Sequence, residues 1–416
     1  MKNNTSMMSN VLTLILGTGG AQIVALLALP LLTRLYTPED FGLFSVYSAI
    51  VSIGTIVICL RYELAITLPK TDRAGFLVYQ LCRYSAFLTS FIFAVIFWFS
   101  SDMLAEMYEV SQGTLWLWFI PVSLLVGGLY KASIFWHTRK KDYKRLATAK
   151  ISQSLPQTFF QLVFGLSPLG AGGLVIGEVI GKACGAISLE KKHLSAADTV
   201  RPSVTKIKTM AGIYKDFPLV SSGSAVVNQL GIVAPSMFIA TYFGIEVAGL
   251  YAMSQRLLAV PMDLIGQSIM SLYIGEVSEL KRKNPKGMAS LYTKFISRMF
   301  LAGSGIVFMV LVFGDWVFVK VFGSEWLGAS DYAKVMVFAF WFRFAVSPLS
   351  QTLNIIGRQD IQIKWDVTRL FLVVLGFSVA ILLGLEPLEA MIIYTGVIIF
   401  SQCLHALITL LQLRRI

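Results

Sequence analysis

The sequence predicts an all-α polytopic membrane protein with about twelve transmembrane helices in two six-helix bundles. Of its 416 residues, 56% are hydrophobic and only 14% are charged, whereas soluble domains carry roughly 25% charged residues. Apolar stretches recur from end to end, each near the roughly 20 residues that a helix needs to cross a bilayer. Because these runs do not alternate with polar residues, they favour helices over a closed barrel. A soluble enzyme is excluded.

The predicted spans follow one another with short polar connections. We place them at about 11–33, 43–67, 76–99, 114–137, 146–166, 171–190, 216–241, 247–277, 291–319, 331–356, 362–384 and 388–412. Only Lys2 precedes the first apolar run, and no small-residue cleavage site follows it. The first span is therefore expected to remain in the protein as a signal-anchor helix.

Basic residues are distributed unevenly among the connecting loops. Those after even-numbered spans are rich in lysine and arginine, as in Arg139, Lys140 and Lys141, whereas those after odd-numbered spans hold few, such as Arg34 and Lys320. The positive-inside rule then places both termini in the cytoplasm. This asymmetry also explains the net charge of +12 without a nucleic-acid partner.

Two stretches in the first half of the chain have counterparts in the second half. The run "PEDFGLFSVYS" (38–48) resembles "GIEVAGLYAMS" (244–254), and "RKKDYKRLATAKI" (139–151) resembles "RQDIQIKWDVTRL" (358–370). Six spans are an even number, so two fused copies of a six-helix unit would enter and leave the membrane on the same side. The sequence therefore predicts a duplication with parallel repeats and a cavity between them.

The longest polar connector lies at the middle of the chain, over residues 191–215. It sets the predicted domain organisation. We expect an N-terminal six-helix bundle over 1–195, a cytoplasmic connector over 196–215 and a C-terminal six-helix bundle over 216–416.

No cofactor or metal site is expected from the sequence. The cysteines and histidines lack metal-ligand spacing. The run "GLVIGEVIGKACG" (173–185) resembles a phosphate-binding loop, but its glycines are too close together and Ala183 replaces the required hydroxyl. Its glycines recur every four residues instead, which predicts a helix face that approaches a neighbouring helix closely.

Polar side chains recur at steps of three or four residues inside several predicted spans. The residues that we single out are Lys150, Gln157, Asn228, Arg256, Asp263, Gln267 and Arg343. Residues at these steps share one face of a helix, and facing lipid would be costly for them. They therefore face a watery cavity or one another. Hydroxyls and amides can also serve only as hydrogen bonds between helices, worth about 0.6 kcal/mol each.

Cations outnumber acids within the predicted spans. A cavity with surplus positive charge attracts an anion, and the guanidinium group of arginine suits phosphate. Lys182 follows Glu178 by four residues, so it forms either a local ion pair or part of this site. Arg61 and Glu63, two residues apart near the inner end of the second span, are expected to contact different neighbours.

Several stretches resemble polysaccharide repeat-unit flippases of the Wzx type, in the MATE-related MOP superfamily. They are "ALPLLTRLYTPEDFGLFSVYSAI" with "RYELAITLPK", "GIEVAGLYAMSQRLLAVP" and "LNIIGRQD". The resemblance covers nearly all of the spans. It implies two six-helix bundles arranged as a V around a hydrophilic, cationic lumen.

The resemblance also implies a cargo and a location. Such proteins move an oligosaccharide linked to undecaprenyl pyrophosphate, such as an O-antigen or capsule repeat unit, from the cytoplasmic to the periplasmic leaflet of the bacterial inner membrane. Coupling to a proton or sodium gradient is proposed for the family. Partners would be the lipid-linked oligosaccharide itself, a polysaccharide polymerase and a chain-length regulator.

We therefore assign the polar residues of the spans to two roles. The predicted substrate-binding residues are Arg61, Lys150, Arg256, Arg343, Lys182, Gln157, Asn228 and Gln267, and the predicted ion-coupling residues are Asp263 and Glu63. A MATE-type cation-coupled exporter of small molecules is the main alternative, although it needs acids to bind organic cations. A peptidoglycan-precursor flippase often has two additional spans, and a membrane scaffold would not need the polar stripes.

Overall fold

The computed structural model describes residues 19–107, 114–190 and 203–415. Within these residues the chain is helical and contains no strand. The helices, in chain order, are α1 (Gly19–Leu35), α2 (Pro38–Val57), α3 (Tyr62–Ala65), α4 (Asp72–Met107), α5 (Thr114–Arg139), α6 (Tyr143–Gly165), α7 (Ala171–Glu190), α8 (Val204–Ile213), α9 (Ser222–Tyr242), α10 (Ile245–Lys283), α11 (Gly287–Val317), α12 (Leu327–Val346), α13 (Thr352–Ile355), α14 (Gln359–Leu382) and α15 (Pro387–Leu413).

Ten helical segments of the described chain are long and apolar enough to cross a membrane. The two other predicted spans correspond to α1 and α6. The beginning of the predicted first span lies outside the described residues, and α1 is a shorter apolar helix. Helix α6 is long enough but less apolar, because Lys144, Arg145, Lys150 and Gln157 lie along it. The prediction of an all-α membrane protein with about twelve spans is confirmed.

The chain forms two compact units, Met1–Gln229 and Leu230–Ile416, which we call unit 1 and unit 2. The chain passes from one to the other within α9. The predicted connector contains α8, whose Ile207 is buried and whose Ala211 carbonyl oxygen accepts a hydrogen bond from the Tyr62 hydroxyl at 3.4 Å. The bundle limits given by the sequence remain a prediction.

Both copies of the first repeated motif begin a helix. Glu39 lies in the first turn of α2, which Thr37 caps by accepting a hydrogen bond from the backbone of Asp40. Glu246 lies in the first turn of α10, directly after Gly244. These matching positions agree with the predicted duplication, which remains a prediction.

Helices α6 and α7 of unit 1 pack closely through the glycine face predicted for α7. A Cβ atom at Gly177 would lie 2.5 Å from Gln161 Cγ, and one at Gly181 would lie 2.6 Å from the carbonyl oxygen of Gln153. The Gln161 side chain is buried and its Nε2 donates a hydrogen bond to the carbonyl oxygen of Leu174 at 3.0 Å. The predicted close approach is confirmed.

Replacing Gly181 with alanine is expected to destabilise the protein by about 1–3 kcal/mol, the usual cost of overpacking. The new methyl group would meet backbone atoms of α6, which cannot rotate away as a side-chain end can. Gly172→Ala is the matched control, since no atom lies within 4 Å of its new Cβ. Both changes are within α7, so the difference between their thermal unfolding midpoints in detergent reports packing. Equal midpoints would contradict the prediction.

Helix α12 of unit 2 ends earlier than the sequence predicts. It stops at Val346, and a 3₁₀ turn at Ser347–Leu349 and the short α13 follow. Pro348 lies in this turn and lacks the backbone N–H that a continuing helix needs. The predicted span 331–356, which carries Arg343, is therefore not one continuous α-helix.

Candidate substrate and ion sites

Glu63 is a buried carboxylate in unit 1 with two cationic neighbours. Its side chain is 0% exposed, and its Oε1 lies 2.8 Å from Lys131 Nζ and 3.6 Å from Arg61 Nη1. The Lys131 ammonium also donates a hydrogen bond to the carbonyl oxygen of Thr55 at 3.1 Å. Within the described part of the chain neither carboxylate oxygen has an aligned hydrogen-bond donor, so these contacts are ionic. One acid is thus shared by two cations.

A break in the helix brings Arg61 and Glu63 together. Helix α2 ends at Val57, and Leu60 and Arg61 both adopt left-handed backbone conformations, with φ of 51° and 61°. Such conformations cost of order 1–3 kcal/mol for residues other than glycine. The prediction that Arg61 and Glu63 contact different neighbours assumed a continuous helix and is wrong.

Lys150 and Lys182 form a second cationic cluster in unit 1. Lys182 pairs with Glu178 on the same helix, as the four-residue spacing predicts. Lys150 Nζ lies over the ring of Tyr130, 5.5 Å from its centre, and is close enough to Lys182 for the two ammonium groups to repel each other. Among the described residues, no carboxylate lies within 4 Å of the Lys150 ammonium. This cluster also holds two cations for one acid.

Two predicted substrate residues of unit 1 have different surroundings. Gln157 is partly buried on α6 and packs against Gly181, so its backbone and Cβ help to hold α7 in place. Asn228 is partly buried on α9, beside Gln229, whose Nε2 donates a hydrogen bond to Ser52 Oγ at 2.9 Å. The described contacts do not join Asn228 to either cationic cluster.

Unit 2 contains an open pocket of about 480 Å³ between α10 and the end of α12. It brings together Asp263, Gln267 and Arg343, three residues that the sequence assigns to the site. Asp263 and Gln267 are exposed, and the Arg343 guanidinium lies 5.6 Å from the ring centre of Phe340. In the described chain no carboxylate lies within 4 Å of this guanidinium.

Arg256 lies seven residues before Asp263 on α10, about two turns away, and is partly buried. It does not line the pocket that holds Asp263 and Arg343. Its predicted role in binding substrate therefore remains a prediction.

Arg369 on α14 is a cation that the sequence analysis did not assign to the site. Its Nε and Nη2 atoms are buried and have no hydrogen-bond partner in the described chain, and Nη2 lies 3.8 Å from Asp366 Oδ1. Its guanidinium is close enough to that of Arg343 for the two to repel each other, and it also interacts with Tyr394. The second repeated motif indicates this residue, because it aligns Arg369 with Lys150, a predicted substrate-binding residue.

The charges of the two units therefore do not cancel pair by pair. In unit 1, Glu63 and Glu178 face four cations, namely Arg61, Lys131, Lys150 and Lys182. In unit 2, the Arg343 and Arg369 guanidinium groups are close enough to repel each other, Asp366 lies 3.8 Å from Arg369, and Asp263 lines the pocket that contains Arg343. Unit 1 therefore carries half-buried positive charge in excess of its nearby carboxylates, whereas in unit 2 the described carboxylates lie at or beyond the limit of ion-pair distance from the two arginines.

Metal binding has no support among the described residues, which contain no group of three or more His, Cys, Asp or Glu side chains arranged to hold an ion. Long apolar helices that carry half-buried cations define a multi-pass membrane protein. The model of the polysaccharide biosynthesis protein family matches residues 31–331. The chain belongs to this family, and the resemblance found in the sequence is confirmed.

Solved structures show the same fold in MOP-superfamily proteins. A multidrug resistance MATE transporter in an inward-facing conformation is 13% identical, with a TM-score of 0.72 and 95% of each chain covered. The lipid II flippase MurJ in an inward closed conformation is 13% identical, with a TM-score of 0.73, over 97% of this chain and 90% of that one. A comparison with curated protein sequences gives no significant match.

Proposed function

We propose that this protein is a flippase for an oligosaccharide linked to undecaprenyl pyrophosphate, such as an O-antigen or capsule repeat unit. It would move the headgroup from the cytoplasmic to the periplasmic leaflet of a bacterial inner membrane by alternating access, with both chain termini in the cytoplasm. The observation that carries this proposal is the set of half-buried cations in each unit that nearby carboxylates do not fully match. Membership of a polysaccharide biosynthesis family supports it.

A diphosphate headgroup needs compensating charge along its path, because an unpaired charge in hydrocarbon is very costly. Arg343 and Arg369 offer two guanidinium groups within electrostatic reach of each other in unit 2, and Lys150 with Lys182 offers two such ammonium groups in unit 1. Several sites of moderate affinity suit transport better than one site of high affinity, since the headgroup must also be released. The isoprenoid tail can remain in lipid.

A MATE-type exporter of organic cations is the second candidate, because a multidrug MATE transporter shares the fold. The distribution of acids argues against it. Glu63 and Glu178 are already occupied by lysine ammonium groups, and Asp263 is the carboxylate that opens into the unit 2 pocket beside Arg343. The similarity to a lipid II flippase supports a lipid-linked cargo instead.

The purified protein in lipid vesicles can distinguish these functions. We expect it to move a fluorescent polyprenyl-diphosphate oligosaccharide between leaflets, to move the monophosphate analogue more slowly, and not to accelerate the movement of an organic cation. Empty vesicles and heat-denatured protein are the controls. Movement of the organic cation without movement of the diphosphate lipid would favour the exporter.

Deletion of the gene should also remove long-chain surface polysaccharide, and the intact gene should restore it.

We propose that Asp263 couples transport to a proton or sodium gradient, because it is exposed in the pocket that also contains Arg343. Asp263→Asn is expected to retain binding of the diphosphate lipid but to lose most of the dependence of transport on an imposed gradient. Asp331→Asn, at an exposed acid near the start of α12, is the control. Full gradient dependence in the Asp263 variant would remove this residue from the mechanism.

Glu63 remains the other proposed coupling residue. Its protonation would weaken the attraction for Lys131 and Arg61, so any role in coupling would operate through this ion cluster.

As partners we propose a polysaccharide polymerase and a chain-length regulator, in addition to the lipid-linked oligosaccharide. Copurification with the intact membrane protein tests the first two.

A further inference from the structure

A second open pocket, of about 530 Å³, lies within unit 1 at one end of its helices. Phe76, Tyr79 and Arg83 come from the first three turns of α4, Trp136 from the last turn of α5, and Glu190 is the last described residue of α7. The pocket thus lies where α4 begins and α5 ends, which in a membrane-spanning bundle corresponds to the level of the lipid headgroups. By the positive-inside rule this is the cytoplasmic side.

The floor of the pocket is aromatic and rigid. The rings of Tyr79 and Trp136 stack with their centres 5.7 Å apart, and the ring of Phe76 meets Trp136 edge-on at 5.6 Å. All three residues are buried, and their faces are covered by one another, by Arg83 over the Tyr79 ring at 5.8 Å and by Lys140 over the Trp136 ring at 4.8 Å. The Tyr79 hydroxyl lies 3.2 Å from Ser133 Oγ and donates to Glu190 Oε1 at 3.5 Å.

Of the described residues that line the pocket, Arg83 and Glu190 carry full charges, beside the imidazole of His137. Arg83 Nη1 lies 3.7 Å from Glu190 Oε1, and the two side chains are 34% and 44% exposed. The pair is long and partly open, so each group retains capacity for a further partner. A ligand that brings a cation to Glu190 would be stabilised there.

The lipid-facing surface of α4 continues directly from this pocket. Tyr84, Phe87, Leu88 and Phe91 follow Arg83 within about two turns and are all more than half exposed. Phe87 and Phe91 lie four and eight residues after Arg83, so they share its helix face. A molecule whose polar group occupied the pocket could therefore lay an acyl chain along this surface.

We propose that this pocket binds a phospholipid whose headgroup carries both a phosphate and a primary ammonium, as phosphatidylethanolamine does. The phosphate would accept hydrogen bonds from Arg83, and the ammonium would donate to Glu190. An anionic lipid without an amine would meet the Glu190 carboxylate unfavourably. A trimethylammonium headgroup has no N–H to donate and would find the aromatic faces already covered.

Native mass spectrometry of the full-length protein with added phosphatidylethanolamine, phosphatidylglycerol and phosphatidylcholine tests this site. For the wild-type protein we expect phosphatidylethanolamine to bind about tenfold more tightly than either other lipid, the effect of one charge-assisted hydrogen bond. Comparable binding of all three lipids would overturn the proposal. Soluble phosphoethanolamine that competed as well as the lipid would overturn the role of the acyl chain.

Two variants assign the preference to named groups. Glu190→Gln should remove the preference for phosphatidylethanolamine over phosphatidylglycerol, because the repulsion of the anionic lipid disappears with the acid. Arg83→Gln should weaken the binding of both lipids. Arg73→Gln, at an exposed position near the start of α4, should weaken the binding of neither. The preference is a ratio measured on one folded sample, so partial unfolding does not mimic it. An unchanged ratio in the Glu190 variant would contradict the assignment.

Discussion

Replacing Glu63 with glutamine is expected to destabilise the protein by roughly 3–5 kcal/mol, the usual cost of removing one partner from a buried ion pair. Glutamine keeps the shape of the side chain but leaves the Lys131 ammonium, and the nearby Arg61, without a compensating charge. Because Glu63 is entirely buried, water cannot take the place of the carboxylate. The measurement is thermal or denaturant unfolding of the purified protein in detergent.

A second substitution separates the lost charge from lost packing. In the Glu63→Gln background, Lys131→Met removes the uncompensated ammonium and is expected to recover a large part of the lost stability. Glu279→Gln is the matched control, because Glu279 forms a 2.7 Å pair with Lys283 in which both side chains are more than half exposed. Exposed pairs contribute little. Equal effects of the Glu63 and Glu279 changes would show that the buried cluster does not support the fold.

Local patterns in the sequence predicted the parts of the structure that depend on local geometry. The pairing of Glu178 with Lys182 follows from the pitch of one helix, and the close approach of α7 follows from glycines at every fourth position. Both predictions need only a regular helix, which long apolar runs in a membrane protein make nearly obligatory.

The contacts around Glu63 could not be predicted in the same way. They depend on left-handed backbone at Leu60 and Arg61, neither of which is a glycine, so the sequence carries no signal for a helix break at that point. Lys131 then approaches from another helix, far away in the sequence. Tertiary packing decided both features.

The second repeated motif points to one more cation of the candidate site. Lys150 and Arg369 align between the halves of the chain, and both are cations with little or no local compensation in the part of the chain that the structure describes. Polar residues recur on the helix face of Lys150 and so single it out within one helix. Arg369 is marked instead by its alignment with Lys150 in the second copy of the motif.

Replacing Arg369 with glutamine is expected to reduce binding of a polyprenyl-diphosphate oligosaccharide by about 10- to 100-fold, the effect of losing one charge-assisted contact. Arg343→Gln should have a similar effect, since the two guanidinium groups are close enough to repel each other. Replacing Asp366 with asparagine removes the acid nearest to Arg369 and should strengthen binding. Titration of the detergent-purified protein with the fluorescent lipid measures all three changes.

The stability of the same variants distinguishes a binding residue from a structural one. Arg369 holds two buried nitrogen atoms without hydrogen-bond partners in the described chain, an arrangement that costs folding free energy. Arg369→Gln should therefore unfold at the same temperature as the wild type or higher, while its binding falls. A residue kept only for structure would lose stability and binding together.

Arg282→Gln, at an exposed position near the end of α10, controls for the loss of one positive charge and should change neither property. If the wild-type protein binds the diphosphate lipid but the Arg343 and Arg369 variants bind it equally well, the site lies elsewhere and the proposed function stands. If the wild-type protein does not bind it, the proposed cargo is wrong. A cation that is kept to bind a ligand is thus recognised by two measurements. When it is replaced, binding of the diphosphate lipid falls, while the unfolding temperature stays the same or rises.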